Sequence, residues 1–142
     1  MTLSAIPAAL RRLVFERARQ RCEYCLIHQD VSIYSHEVDH IIALKHGEQT
    51  QVDNLAVACL PYNRSKGSDL TTFDPLSNTI VPLFNPRQHT WREHFILEDA
   101  IIVGLTPIGR ATVVLLKFNA PSRQLHRRVL IAQGRYLIET SC

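Results

Sequence analysis

The sequence lacks the features that would point to a membrane, secreted or repetitive protein. No apolar run approaches the ~20 residues that a membrane-spanning helix needs, and there is no internal repeat or low-complexity segment. Cysteine is scarce, with four among 142 residues, at positions 22, 25, 59 and 142. This spacing does not suggest a disulfide framework, because a short Cys-x-x-Cys more often binds metal or does redox work. We therefore expect a single domain, residues 1–142, in a reducing compartment, the cytoplasm.

Charge is unevenly distributed along the chain, although the formal net charge is only +3. Residues 1–21 carry a net charge of +4, residues 121–142 carry +3, and the middle carries −4. Basic ends around an acidic centre suit a protein whose terminal helices contact phosphates while a carboxylate site holds a cation. The alternative is that these arginine-rich helix faces are simply solvated.

Periodicity in the first half predicts a helix, then strands, then a short helix. An amphipathic pattern predicts a folded helix over about 7–20, and not a transit peptide. Runs of β-branched and aromatic residues predict strands at 31–34, 37–43 and 55–58, with a polar loop before the last one. Proline opens and glycine ends a short predicted helix over 61–67.

The second half predicts less regular structure followed by a hairpin and two helices. Residues 68–88 contain three prolines, so we expect irregular chain with one short strand. Apolar runs at 95–97 and 101–105 predict a hairpin. Helical spacing of apolar residues then predicts helices at 109–118 and 121–137. The expected fold class is therefore α+β.

Side chains suited to phosphodiester hydrolysis concentrate in the central stretch. They are Asp39, His40, Asn54, Asn63, Arg64 and Lys66. Such hydrolysis needs a deprotonated water and positive charge beside the phosphate, which a neutral imidazole and a divalent metal supply. Asn63 offers an oxygen that suits Mg²⁺ or Mn²⁺, and Asn54 can bond the loop backbone and orient His40. Adjacent strand residues point to opposite faces, so Asp39 and His40 converge only where the strand end is distorted.

The motif Asp39-His40-Ile41-Ile42, Asn54-Leu55, Cys59-x-x-Tyr62-Asn63-Arg64-x-Lys66-Gly67 resembles that of HNH endonucleases of the ββα-metal type. Within that family it is similar to small bacterial proteins with a Cys-x-x-Cys pair on each side of the strand-loop-strand. The resemblance implies an HNH nuclease core at 21–67 and a family-specific C-terminal extension at 68–142. It implies a ββα-metal core preceded by a helix and followed by a hairpin and two helices.

The resemblance also implies a role for each motif residue. His40 is the general base, and Asn54 positions it. Asp39 and Asn63 hold one catalytic Mg²⁺ or Mn²⁺, and the expected reaction is hydrolysis of double-stranded DNA to a 3′-hydroxyl and a 5′-phosphate. The cations expected beside the DNA phosphates are Arg64 and Lys66.

The cysteines depart from the family pattern at Tyr62. The three thiols expected to bind a structural Zn²⁺ are Cys22, Cys25 and Cys59. A fourth cysteine would stand at position 62, but a phenol is a poor zinc ligand with a high pKa. Zinc would then need a water or a borrowed ligand such as His28 or Cys142. Otherwise the three thiols are small buried apolar groups and zinc is absent.

Two alternative functions can be weighed against the nuclease. One is a catalytically inactive nucleic-acid-binding module of HNH fold, because Tyr62 marks an altered part of the ancestral site; the presence of Asp39, His40 and Asn63 argues against it. The other is a Cys-x-x-Cys redox protein, which fails for want of the βαβ context that such motifs need.

Overall fold

Three antiparallel strand pairs and a series of helices make up the part of the chain that a computed structural model describes, residues 6–47, 49–59, 62 and 65–136. The helices are α1 (Ala8–Arg17), α2 (Trp91–His94), α3 (Pro107–Leu115) and α4 (Pro121–Ala132). The strands are β1 (His36–His40), β2 (Leu55–Cys59), β3 (Thr71–Asp74), β4 (Thr79–Pro82), β5 (Phe95–Glu98) and β6 (Ile101–Gly104). Strand β1 pairs with β2, β3 with β4 and β5 with β6. The mixture of helices and small antiparallel sheets is the α+β class that the periodicity predicts.

Strand β2 is buried along its whole length because it is covered on both faces. Leu55 and Val57 join the cluster formed with Val14 of α1, whereas Ala56 and Ala58 belong to the larger core. This alternation follows from the two-residue period of a strand. Burying a side chain such as Val14 contributes about 1.5–3 kcal/mol. The strand therefore fixes the position of its partner β1, which ends at His40.

The larger core joins the central stretch to the C-terminal half. Phe95 lies at its centre, with ring centroids 5.1 Å from Phe84 and 5.6 Å from Phe118. Trp91 Nε1 donates to the Tyr24 carbonyl oxygen at 2.8 Å, so α2 holds the segment between the first two cysteines. Because these contacts link residues far apart in the chain, residues from both halves share one core.

Two of the predicted strands are wrong in place or extent. Residues 31–34 form no strand; instead His28 accepts a hydrogen bond from the Asp30 amide at 3.0 Å and caps a 3₁₀ turn at Gln29–Val31. The strand predicted over 37–43 runs from His36 to His40, and the chain bends at Ile41. Side-chain capping and the absence of a pairing partner override β-propensity at 31–34.

The segment predicted to be irregular with one short strand contains two strands, which form the β3–β4 hairpin. Asp74 accepts hydrogen bonds from the Leu76 and Ser77 amides and closes the turn. It also receives two hydrogen bonds from the Arg110 guanidinium, at 3.0 Å each, which tie the hairpin to α3. The hairpin is therefore fixed by a contact between residues 36 positions apart.

The described helices include none long and apolar enough to cross a membrane. The predicted hairpin at β5–β6 and the two helices after it are present, as α3 and α4. The short helix predicted over 61–67 falls partly outside the described residues, and Asn63, Arg64 and Cys142 lie outside them altogether.

Candidate functional site

His40 is the last residue of β1 and is held in place by a threonine. Its side chain is almost wholly buried, with 8% of the residue exposed. The imidazole Nε2 lies 2.8 Å from the Thr50 hydroxyl oxygen, ten residues along in the loop. Sequence reasoning missed Thr50, since no spacing rule singles out one hydroxyl in a polar loop. The contact fixes the orientation of the ring and leaves the other ring nitrogen, Nδ1, without this restraint.

Asp39 precedes His40 on β1 and is half-buried. Burial raises the pKa of this carboxyl above its ordinary value, while a hydrogen bond from the His40 amide and the nearby charge of Lys66 act in the opposite direction. Register pairs Asp39 with Ala56 and His40 with Leu55 without interruption, so the backbone directs the two side chains to opposite faces. The register continues to His40 without the distortion that convergence of the two side chains was expected to need.

Asn54 closes the loop that joins β1 to β2. Its Oδ1 accepts from the Ile42 amide at 2.9 Å, and its Nδ2 donates to the Ile42 carbonyl oxygen at 2.9 Å and to the Gln49 carbonyl oxygen at 3.1 Å. Its own carbonyl oxygen accepts from the Ile41 amide at 2.8 Å. Asn54 therefore bonds the backbone just after His40, at Ile41 and Ile42, and just before Thr50, at Gln49. It influences the histidine through that backbone.

Lys66 is buried, with 5% of the residue exposed. Its ammonium donates to the Ile41 carbonyl oxygen at 2.7 Å, and burial lowers the pKa of the amine. The side chain therefore stabilises the bend that follows His40, and its contact with a phosphate stays a prediction.

Three thiols lie together beneath the central stretch. Among the described His, Cys, Asp and Glu side chains, Cys22, Cys25 and Cys59 form a cluster that could hold a metal ion. No disulfide joins them, and the Sγ–Sγ distances are 3.8 Å between Cys22 and Cys59 and 3.9 Å between Cys25 and Cys59. Sulfur ligands of a tetrahedral zinc lie ~3.8 Å apart, given a Zn–S bond of about 2.3 Å. Three corners of such a site are present.

A glutamate fixes the turn between Cys22 and Cys25 against β2. The Glu23 amide donates to the Val57 carbonyl oxygen at 2.8 Å, and its carboxylate accepts from the Val57 amide at 2.9 Å. The other carboxylate oxygen accepts from Arg87. Within the turn, the amides of Tyr24 and Cys25 both donate to Cys22 Sγ at 3.4 Å. This turn therefore has the amide-to-sulfur bonds of a metal knuckle.

A model of the HNH endonuclease family matches residues 22–69, which span the cysteine turn, His40 and Lys66. Residues 22–69 are therefore similar to HNH endonucleases. The match covers about a third of the chain. Comparison of the chain with curated proteins and with solved structures finds no match.

Tyr62 occupies the position at which the cysteine spacing predicted a fourth thiol. It is buried, its ring lies 5.1 Å from that of Phe118, and the Arg123 guanidinium stacks over it at 4.1 Å. Burial raises the pKa of its phenol well above the ordinary value, which disfavours a phenolate ligand. A cavity of ≈ 50 Å³ lined by Cys25, Cys59 and Tyr62 leaves room for a water.

The borrowed zinc ligands considered from sequence do not complete the described cluster. His28 uses Nδ1 to cap the turn at Gln29–Val31 and is not part of the cluster. Cys142 lies outside the described residues. Among the described residues, the donor set is thus three sulfurs, with Tyr62 lining the cavity beside Cys25 and Cys59.

Some of the terminal arginines have structural roles that charge counting did not separate from phosphate binding. Arg17 donates to the carbonyl oxygens of Val52 and Leu55 at 2.9 and 2.7 Å. Arg127 is buried and donates to the Ala100 and Phe118 carbonyl oxygens at 2.7 and 2.8 Å. Besides Arg17, the exposed arginines of the two basic ends are Arg11, Arg12, Arg19, Arg128 and Arg135.

Proposed function

We propose that this protein is a metal-dependent HNH endonuclease that hydrolyses phosphodiester bonds of double-stranded DNA. The observation that carries the proposal is the seating of His40, a buried imidazole held by Thr50 next to the partly desolvated Asp39, inside the segment that the family model matches. The three free thiols fit a reducing compartment, the cytoplasm. The HNH core, residues 21–67, supplies the chemistry in a ββα-metal arrangement, and residues 68–142 are its extension.

His40 acts as the general base. With Nε2 occupied by Thr50, Nδ1 accepts the proton of the attacking water, and burial keeps the ring in one orientation. Asn54 holds the loop backbone in which both side chains are anchored. The base is thus positioned before substrate binds, which lowers the entropic cost of reaching the transition state.

Asp39 and Asn63 would hold one Mg²⁺ or Mn²⁺. A half-buried carboxylate whose pKa is raised by burial suits this purpose, since a cation restores the favourable environment of its charged form. When bound, the cation stabilises the negative charge that develops on the phosphate. Arg64 beside the DNA, and the exposed arginines of the two ends, neutralise further phosphates.

The test is a supercoiled-plasmid assay with Mg²⁺, with Mn²⁺ and with EDTA. We expect nicking with either cation and none with EDTA, and we expect DNA ligase to reseal the nicks, because the products carry 3′-hydroxyl and 5′-phosphate ends. Nicking that persists in EDTA, or ends that ligase cannot join, would contradict a metal-dependent HNH reaction.

A catalytically inactive nucleic-acid-binding module is the second candidate, and Tyr62 in the cysteine cluster is the observation that favours it. Such a module would retard DNA in a gel without nicking it under any of the three conditions. The plasmid assay run beside a binding assay therefore separates the two functions.

A further inference from the structure

Thr50 lies against the proposed general base, and its hydroxyl is the side-chain group that bonds His40 Nε2, at 2.8 Å. A neutral imidazole carries one hydrogen, and its position is set by the partner of each ring nitrogen. A proton on Nε2 that is donated to Thr50 Oγ1 leaves Nδ1 with its lone pair. A hydroxyl can also donate to an unprotonated Nε2, and that arrangement puts the hydrogen on Nδ1 and removes the basic atom from the water. We propose that Thr50 is a positioning residue whose hydroxyl accepts the hydrogen of His40 Nε2, because the proposed base needs its lone pair on Nδ1.

The position of Thr50 is itself determined by Asn54. Asn54 Nδ2 donates to the carbonyl oxygen of Gln49, the residue before Thr50. The same side chain bonds both backbone groups of Ile42, two residues after His40. One amide therefore holds the strand end that carries the imidazole and the loop that carries the hydroxyl.

Asn54 accordingly acts on His40 through Thr50. This adds Thr50 to the proposed site, and the role of Asn54 is to hold the backbone on which Thr50 and His40 are carried. Two residues that act through one contact lose their effect together. Once the Thr50 hydroxyl is gone, removing the Asn54 amide should add little further loss of rate.

The experiment compares Thr50→Val, which keeps the shape and removes the hydroxyl, with Thr50→Ser, which keeps the hydroxyl. Thr71→Val, an exposed threonine of β3, is the matched control. We expect Thr50→Val to lower kcat for plasmid nicking ~10- to 100-fold, as loss of an outer partner of a site histidine does, with KM little changed. Thr50→Ser should restore most of the rate, and Thr50→Val with Asn54→Ala should be scarcely slower than Thr50→Val alone.

The second readout does not depend on activity. In protein labelled with ¹⁵N-histidine, two-bond ¹H–¹⁵N spectra of the His40 ring should show a protonated Nε2 and an unprotonated Nδ1, and Thr50→Val should shift the tautomer mixture toward Nδ1–H. Because this role rests on the proposed nuclease function, the two readouts separate their failures. An unaltered protein that does not nick DNA, with the tautomer shift present, counts against the nuclease and supports the Thr50 contact. Nicking and a tautomer that are both unchanged in Thr50→Val overturn the inference and leave the nuclease standing.

Discussion

The Lys66 ammonium donates to the carbonyl oxygen of Ile41 at 2.7 Å, across 25 residues of chain. The residue that follows the proposed base is thereby connected to the segment that follows Tyr62. A motif lysine that sequence reasoning assigned to phosphate binding also stabilises the backbone beside the site.

Lys66→Met should therefore affect folding more than DNA binding. The substitution keeps an apolar stem but leaves the Ile41 carbonyl without its donor, and an unsatisfied buried group costs about 1–3 kcal/mol. We expect that loss in urea unfolding, with Lys45→Met, an exposed lysine, as the control. Unchanged stability, with the salt dependence of DNA binding weakened by about one phosphate contact, would instead return Lys66 to the DNA interface.

Asp39→Asn and Asn63→Ala should each move activation by Mg²⁺ to higher concentration. Either change weakens an oxygen ligand of a cation that relies on few protein groups. Titration of nicking rate against Mg²⁺ and Mn²⁺ measures the shift, and Asp53→Asn, at an exposed aspartate, serves as the control. Identical titration curves for both variants and the unaltered protein would mean that the cation binds elsewhere.

The unaltered protein should contain well under one zinc per chain. Tyr62 stands where the cysteine spacing predicted a fourth thiol and is packed between Phe118 and Arg123, and the core extends well beyond the cluster. Elemental analysis measures the zinc, and EDTA should stop catalysis without lowering the melting temperature.

Tyr62→Cys restores a fourth thiolate, so it should raise both zinc content and melting temperature. Tyr62→Phe is the matched control, because it keeps the ring and adds no thiol. Stoichiometric zinc in the unaltered protein, with unfolding when it is removed, would contradict this account and make a water in the adjoining cavity or Cys142 the fourth ligand.

Asp74→Asn should lower stability at neutral pH and matter less in acid. The Arg110 guanidinium holds the pKa of Asp74 well below its usual range. Because the folded-state pKa is depressed, the stabilisation is complete above the unfolded value of about 3.9 and is lost as pH falls below it. Melting curves across this range should converge for the two proteins, whereas exposed Asp99→Asn should behave like the unaltered protein. A pH-independent difference would assign the effect to packing.

Much of this fold could be predicted because its elements follow local rules. The amphipathic face of α1, the strands around the central loop and the β5–β6 hairpin each follow from periodicity and turn residues. The β3–β4 hairpin was missed because Pro75 suggested irregular chain, whereas here it lies in the turn that Asp74 closes. The Asp74–Arg110 pair could not be foreseen, since no local rule joins residues 36 positions apart.

The candidate site shows the same division. Asp39, His40 and Asn54 could be named as candidates because motif spacing encodes them. Thr50 and the burial of Lys66 were not, because both depend on how the loop after β1 folds back. The sequence also could not predict which arginines are exposed, since Arg127 is buried and its neighbour Arg128 is exposed.

The most direct test of the central claim is the rate of plasmid nicking by His40→Ala. The account predicts a fall of ~10²- to 10⁴-fold, the usual effect of losing a positioned base, with DNA affinity and the far-ultraviolet circular dichroism spectrum retained. The control His126→Ala, on α4, should nick at the rate of the unaltered protein. Nicking by His40→Ala at that same rate, with Mg²⁺ or Mn²⁺ present, would show that His40 is not the base and that the proposed mechanism is wrong.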